Sequence, residues 1–166
     1  MTDHSTTSGR EALVRRLDAA LTELTALAQA PATDRLTEAD KATGEQWRLG
    51  QAWAHVAEFP GYWTAEMCGV LAAPADSVPS FGRTLDDERR LEAVLVENAR
   101  TGTEVLPRLT GDVGTLRTLL GLLPDEAWDR RGVHAVHGVM TVEEIVDEFL
   151  VGHLEEHVEQ IASLYR

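Results

Sequence analysis

The chain has 166 residues, 43% of them hydrophobic and 26% charged, which suits one soluble domain with its own core. Its net charge of −13 repels phosphate backbones and disfavours nucleic acid as a partner. No apolar run approaches the roughly 18 residues of a membrane span. The opening "MTDHSTTSGREALVRR" also lacks the apolar core of a signal peptide, so a cytoplasmic protein is expected.

One domain over residues 1–166 is predicted, with residues 1–7 disordered. Ser8 and Glu11 can form a capping box. Leu13, Leu17, Ala20, Leu21, Leu24 and Leu27 then repeat at three and four residues, predicting a helix from about Ser8 to Gln29 with one apolar stripe. "APATDRLTEADKATG" reads as a connector anchored by Leu36. A second helix is predicted from about Glu45 to Ala72, capped by Thr43 and Gln46, with a kink or break at Pro60. The lone cysteine, Cys68, reads as a small buried hydrophobe.

"LDDERRLEAVLVENAR" reads as an extra helical segment. "LPRLTGDVGTLRTLLGLL" reads as a third bundle helix with Pro107 near its start, and "PDEAWDRRGVHAVHGV" as a structured loop. No strand pattern stands out. In the last helix Thr141 and Glu144 make a capping box, and Met140 can staple onto Ile145. The stripe Val142, Ile145, Val146, Phe149, Leu150, continued by three and four, reaches His153 and His157. The whole predicts an all-α, antiparallel four-helix bundle. Its longest linkage, between helices 2 and 3, leaves room for a crossover.

Two histidines four apart share one helix face, about 6 Å apart along the axis. "HLEEH", residues 153–157, matches the inverted zinc-protease string H-x-x-E-H. Glu156, however, stands about 100° around the helix from His157, and the third ligand of such a protease is a glutamate far downstream, whereas the nine residues that follow His157 hold only the nearby Glu159. A ferritin-like di-iron site wants a Glu three residues before each His, and those positions hold Ala52, Leu150 and Leu154. A third ligand for one ion is best sought at His55, whose helix face also carries Glu58, Phe59, Tyr62 and Glu66. From spacing alone, a metal site and three hydrogen-bonded core histidines stand equal.

"WAHVAEFPGYW", "EAWDRRGVHAVHGVMTVEEI" and "GHLEEHVEQI" together resemble the DinB-like superfamily of bacterial four-helix bundles. That superfamily includes thiol-dependent S-transferases and mycothiol-dependent maleylpyruvate isomerases. The resemblance implies a divalent metal held by His55, His153 and His157, with open positions for water or a thiol. Zinc and nickel suit imidazole ligands, as do iron and copper. It further implies a small-molecule substrate and a low-molecular-weight thiol co-substrate of the mycothiol kind. The expected activity is thiol S-transfer. The alternatives are a non-catalytic metal- or ligand-binding stress protein with every coordination position filled, and a metal-dependent hydrolase. Glu58 and Glu66 are candidate orienters or general bases. His134 and His137 are candidates for the mouth of the site, against a plainer role as loop residues with capping duties. Apolar residues beyond one stripe (Trp53, Val56, Trp63, Met67) lead us to expect a homodimer through helix faces.

Overall fold

The computed structural model describes residues 4–40, 44–84, 87–88, 92 and 100–166. The leucine repeat near the N-terminus becomes α1 (His4–Leu27), with Leu13, Leu17, Ala20 and Leu24 all buried. Residues 4–7, expected to be disordered, carry helical backbone. After α1, the side chain of Leu36 is half exposed while Thr37 is buried. Thr37, not Leu36, is the anchor of this connector. Its hydroxyl accepts from Trp47 N–H at 2.8 Å, and its N–H donates to the Trp47 carbonyl at 2.9 Å.

That turn takes the place of the first helical turn expected after Glu45. Helix α2 spans Leu49–Ala72, capped by the side chain of Gln51, which accepts from Arg48 N–H at 2.9 Å. The predicted cap residue Thr43 lies outside the described residues. No break occurs at Pro60, which sits inside the continuous helix. Cys68 is exposed, contrary to expectation. It falls between Met67 and Val70, which take the buried face. Trp53, Val56, Trp63 and Met67, from which a dimer face was expected, are all buried within the single chain.

The predicted extra segment, residues 85–100, falls almost wholly outside the described residues. Helix α3 spans Gly102–Leu122, so it begins before the expected start at Pro107. Thr101 and Glu104 close a capping box that the sequence reading passed over, with Thr101 N–H donating to Glu104 Oε2 at 2.7 Å. The one-turn α4 (Asp125–Trp128) follows.

The fourth bundle helix runs through α5 (Val142–Ile145), a π-helical stretch (Val146–Gly152) and α6 (His153–Ser163). The Thr141–Glu144 capping box starts it as predicted. The π stretch was not foreseen. The result is a four-helix bundle. Both α1 and α2 pack against α3 and the fourth helix. The crossings therefore fall in the connections before α2 and after α3, not between α2 and α3, which pack directly on each other. Among the described residues no helix is long and apolar enough to cross a membrane.

Among the described residues, three short strands that the sequence reading did not anticipate accompany the bundle, which keeps its all-α class. They are β1 (Ser80–Phe81), β2 (Arg131–His134) and β3 (Gly138–Thr141). β1 pairs parallel with β2, and β2 antiparallel with β3, Val133 opposite Val139. Strands of two and four residues are too short to show a period-2 pattern. Arg130 ties this sheet to α2 by donating to the Ala73 carbonyl at 2.7 Å, where a helix C-terminus favours a cation.

Gly132 lets β2 lie flat on the bundle. A Cβ there would stand 2.6 Å from the Phe81 ring and 2.8 Å from Val70 Cγ2. Replacing Gly132 with Ala is predicted to cost about 1–3 kcal/mol of stability, the usual range for overpacking. Urea unfolding checks this, and an unchanged midpoint would contradict it.

Candidate metal centre

His55 comes from α2, and His153 and His157 from α6. His55 and His157 are buried, 4% and 6% exposed, while the His153 side chain is 30% exposed. Their ligand nitrogens lie within 4.8 Å of one another. His153 Nε2 is 3.1 Å from His55 Nε2 and 3.1 Å from His157 Nε2. Two imidazole nitrogens on one tetrahedral zinc, each about 2.0–2.1 Å from it, stand roughly 3.3–3.4 Å apart. The spacing found here is close to that.

The hydrogen bonding around the rings suits an ion between them. Gln160 Oε1 lies 2.8 Å from His157 Nδ1; an amide oxygen only accepts, so Nδ1 carries the proton and the neutral ring turns a lone pair out at Nε2. That lone pair faces His153 Nε2, which also faces His55 Nε2 at the same 3.1 Å. A cation serves all three nitrogens. The donor set, three neutral imidazoles, fits a divalent first-row ion.

The rings are held by packing as well. Trp47 stacks on His157 with centroids 6.1 Å apart and meets His55 edge-on at 5.1 Å. Phe59 meets His153 edge-on at 4.5 Å. Trp47 was not singled out from the sequence, and Gln160 entered only as part of the "GHLEEHVEQI" ending. Gln160 has a usable signal, three residues after His157 on the same helix. Trp47 has none, because it lies in a turn that the pattern assigned to α2.

The triad opens onto a cavity of about 490 Å³. His134, His137, Trp63, Phe149 and Arg83 line its other walls, and Glu148 and Glu156 are among its carboxylates. The fold thus brings the hairpin histidines to the triad's own cavity. His134 also has the plainer role, since its Nδ1 accepts from Val136 and His137 N–H, both at 3.3 Å. Gly82, at φ +82°, clears room for it; a Cβ there would stand 2.5 Å from His134 Cδ2.

Glu58 and Glu66 are not brought to the triad. Glu58 takes both arms of Arg83, at 2.8 and 2.5 Å, and Arg83 lies over the Tyr62 ring at 4.0 Å. Glu66 accepts from Gly82 N–H at 2.5 Å. Glu66 does share His55's helix face, but eleven residues place it roughly 16 Å along the axis. Both carboxylates pin the β1 segment to α2. Burial, followed by the charge of Glu66, pushes the Tyr62 hydroxyl up to about 12. Partial burial, then the charges of Glu148 and Asp40, raises the Glu156 carboxyl.

The fold and this cluster define a four-helix bundle whose interior gathers three imidazoles able to hold an ion. The same fold is found in solved structures. One is YfiT from Bacillus subtilis, described as a probable metal-dependent hydrolase with an unusual four-helix bundle topology. It matches at a TM-score of 0.74 and 20% identity over 95% of this chain and 86% of its own. Another is an uncharacterized protein from Clostridium difficile 630, at a TM-score of 0.60 and 11% identity over 94% and 95%. No family model and no curated protein sequence matches the chain.

Burial lowers the His134 pKa below the usual 6.5; the nearby His137 lowers it further, and the Arg83 carbonyl opposes both. The neutral ring is therefore favoured in the fold. Stability from this group is present above the unfolded value, about 6.5, and is lost as pH falls through the depressed folded value. Titration of the His134 ring protons by NMR should give a midpoint below 6.5. A midpoint above it would contradict this packing.

Proposed function

We propose that this chain is a divalent-metal-dependent enzyme of the DinB-like superfamily, with His55, His153 and His157 as its metal ligands. One observation carries the reading: three Nε2 atoms, from two helices, meet at the edge of a cavity large enough for a small molecule. Among the described residues no fourth side chain joins the cluster, which supports an open coordination position over a closed, purely structural site. The zinc and nickel class fits the donors, with iron and copper next.

A divalent ion held there supplies Lewis acidity, lowering the pKa of a thiol or water molecule that reaches it. The chain's own groups do the rest. Gln160 fixes the tautomer and orientation of His157. Trp47 and Phe59 hold the rings, and Trp63 and Phe149 give the cavity apolar walls. The resemblance to thiol-dependent transferases supports a low-molecular-weight thiol as nucleophile and S-transfer as the reaction. The likeness to YfiT, a probable metal-dependent hydrolase, favours hydrolysis as the second reading.

Metal-loaded protein should consume mycothiol or bacillithiol in the presence of monochlorobimane, followed by conjugate fluorescence. Thiol-independent cleavage of activated esters with no conjugate would select hydrolysis. Loss of neither substrate from fully loaded protein would contradict an enzyme.

Two substitutions test the ligand set. His153→Ala should leave helicity intact and abolish stoichiometric metal; retention of one ion per chain would refute the assignment. Gln160→Ala should weaken metal binding by about 10–100-fold, the usual effect of removing a group that orients a ligand. Competition with a chromophoric chelator measures both.

A further inference from the structure

Read at about 100° per residue, the fourth helix changes phase midway. From the start of the helix into the first half of the π stretch the buried residues are Val142, Ile145, Val146 and Phe149; Leu150 and Val151, buried within the stretch, lead over to Leu154, His157, Val158, Ile161 and Leu164 beyond it. In an unbroken α-helix these two sets would point roughly 100° apart, the rotation of one residue. The π stretch absorbs that residue, so both sets face the same core. It also moves His153. Unbroken α-helix would put His153 at the centre of the stripe set by Val142 and Phe149, whereas the wider turn leaves it on the flank, roughly 80° away. That is the edge on which the cavity opens, and the His153 side chain is 30% exposed there.

Two residues make this turn. Gly152 has φ −59° and ψ −43°, angles that any residue adopts, so glycine is not needed for its conformational freedom. Its missing side chain is what matters, because a Cβ would stand 2.8 Å from the carbonyl oxygen of Asp147, five residues back. Arg16 on α1 grips both ends of the turn. It reaches Asp147 Oδ1 at 2.6 Å and Glu155 at 2.9 and 2.6 Å. In an α-helix residues eight apart diverge by roughly 80°, and absorbing one of them brings the pair to within roughly 20° of one face.

We infer that Gly152, braced by Arg16, is a positioning residue for the three-histidine centre: it permits the π-helical turn that sets His153 at the cavity edge within reach of His55. This rests on the proposed metal site, and the turn itself can be tested without metal.

The test is Gly152→Ala in the full chain. The control is Gly114→Ala on α3, where no atom lies within 4 Å of the new Cβ. Both variants should keep wild-type helicity. Gly152→Ala should lose at least about tenfold in zinc affinity, at the lower end of what displaced support around a ligand costs. In the metal-free protein it should also weaken the nuclear Overhauser contact between the His153 and Phe59 rings, whose centroids are 4.5 Å apart. Gly114→Ala should change neither.

A folded Gly152→Ala protein with wild-type affinity and an unchanged ring contact would overturn the inference. Should that variant not fold, Arg16→Gln decides by the same two readings, reduced values supporting the inference and unchanged values overturning it. Wild-type protein that binds no zinc would defeat the metal reading alone, leaving the metal-free ring contact to judge the turn.

Discussion

Three imidazole Nε2 atoms must converge from two helices, that of His153 standing 3.1 Å from those of both His55 and His157. That constraint organises the molecule. Burying polar rings without partners costs free energy, so the surrounding structure must either supply partners or leave room for a cation. Here it does both. Gln160 takes the outward nitrogen of His157, aromatic rings take the flat and edge contacts, and the three Nε2 atoms converge beside an open cavity.

The rest of the fold follows as support for that arrangement. Trp47 reaches the triad because Thr37 pins the connector before α2. The far wall of the cavity exists because the small sheet is pressed onto α2, through Gly132 against Phe81 and Val70 and through Gly82 beneath His134. Arg83 and Glu58 form a nearly buried ion pair there, with the Arg83 side chain 6% exposed. Such a pair is a weak source of net stability, but breaking one partner of it is costly. Its effect is to hold the β1 segment in one place, and with it the carbonyl of Arg83, which lies 3.3 Å from His134 Nε2.

Much of this was legible in the sequence. Leucine spacing marked the helices, Thr141 and Glu144 marked the start of the fourth, and the i, i+4 pair with His55 on a second amphipathic helix marked the cluster. The remainder was hidden for physical reasons. Strands of two and four residues carry no readable alternation. The π turn shows only as a shift in phase between the apolar residues before and after it, which a stripe extended from the start of the helix passes over. A stripe extended at constant pitch therefore sent His153 to the core centre instead of the cavity edge. Glu58 and Glu66 looked like catalytic candidates because helical periodicity shows what shares a face. It does not show that Arg83 and Gly82, from another segment, will occupy both carboxylates. Trp47 was read as part of a helix, whereas a hydrogen-bonded turn from Thr37 holds it over the triad.

The most direct test is X-ray absorption spectroscopy on protein purified without a histidine tag. If the account is right, the sample carries about one divalent ion per chain. Its spectrum should then fit three imidazole nitrogens, at roughly 2.0–2.1 Å if the ion is zinc, with the remaining scattering from light exchangeable atoms. Absence of a stoichiometric ion after loading, or a first shell that requires sulfur or protein carboxylate in place of the imidazoles, would contradict it.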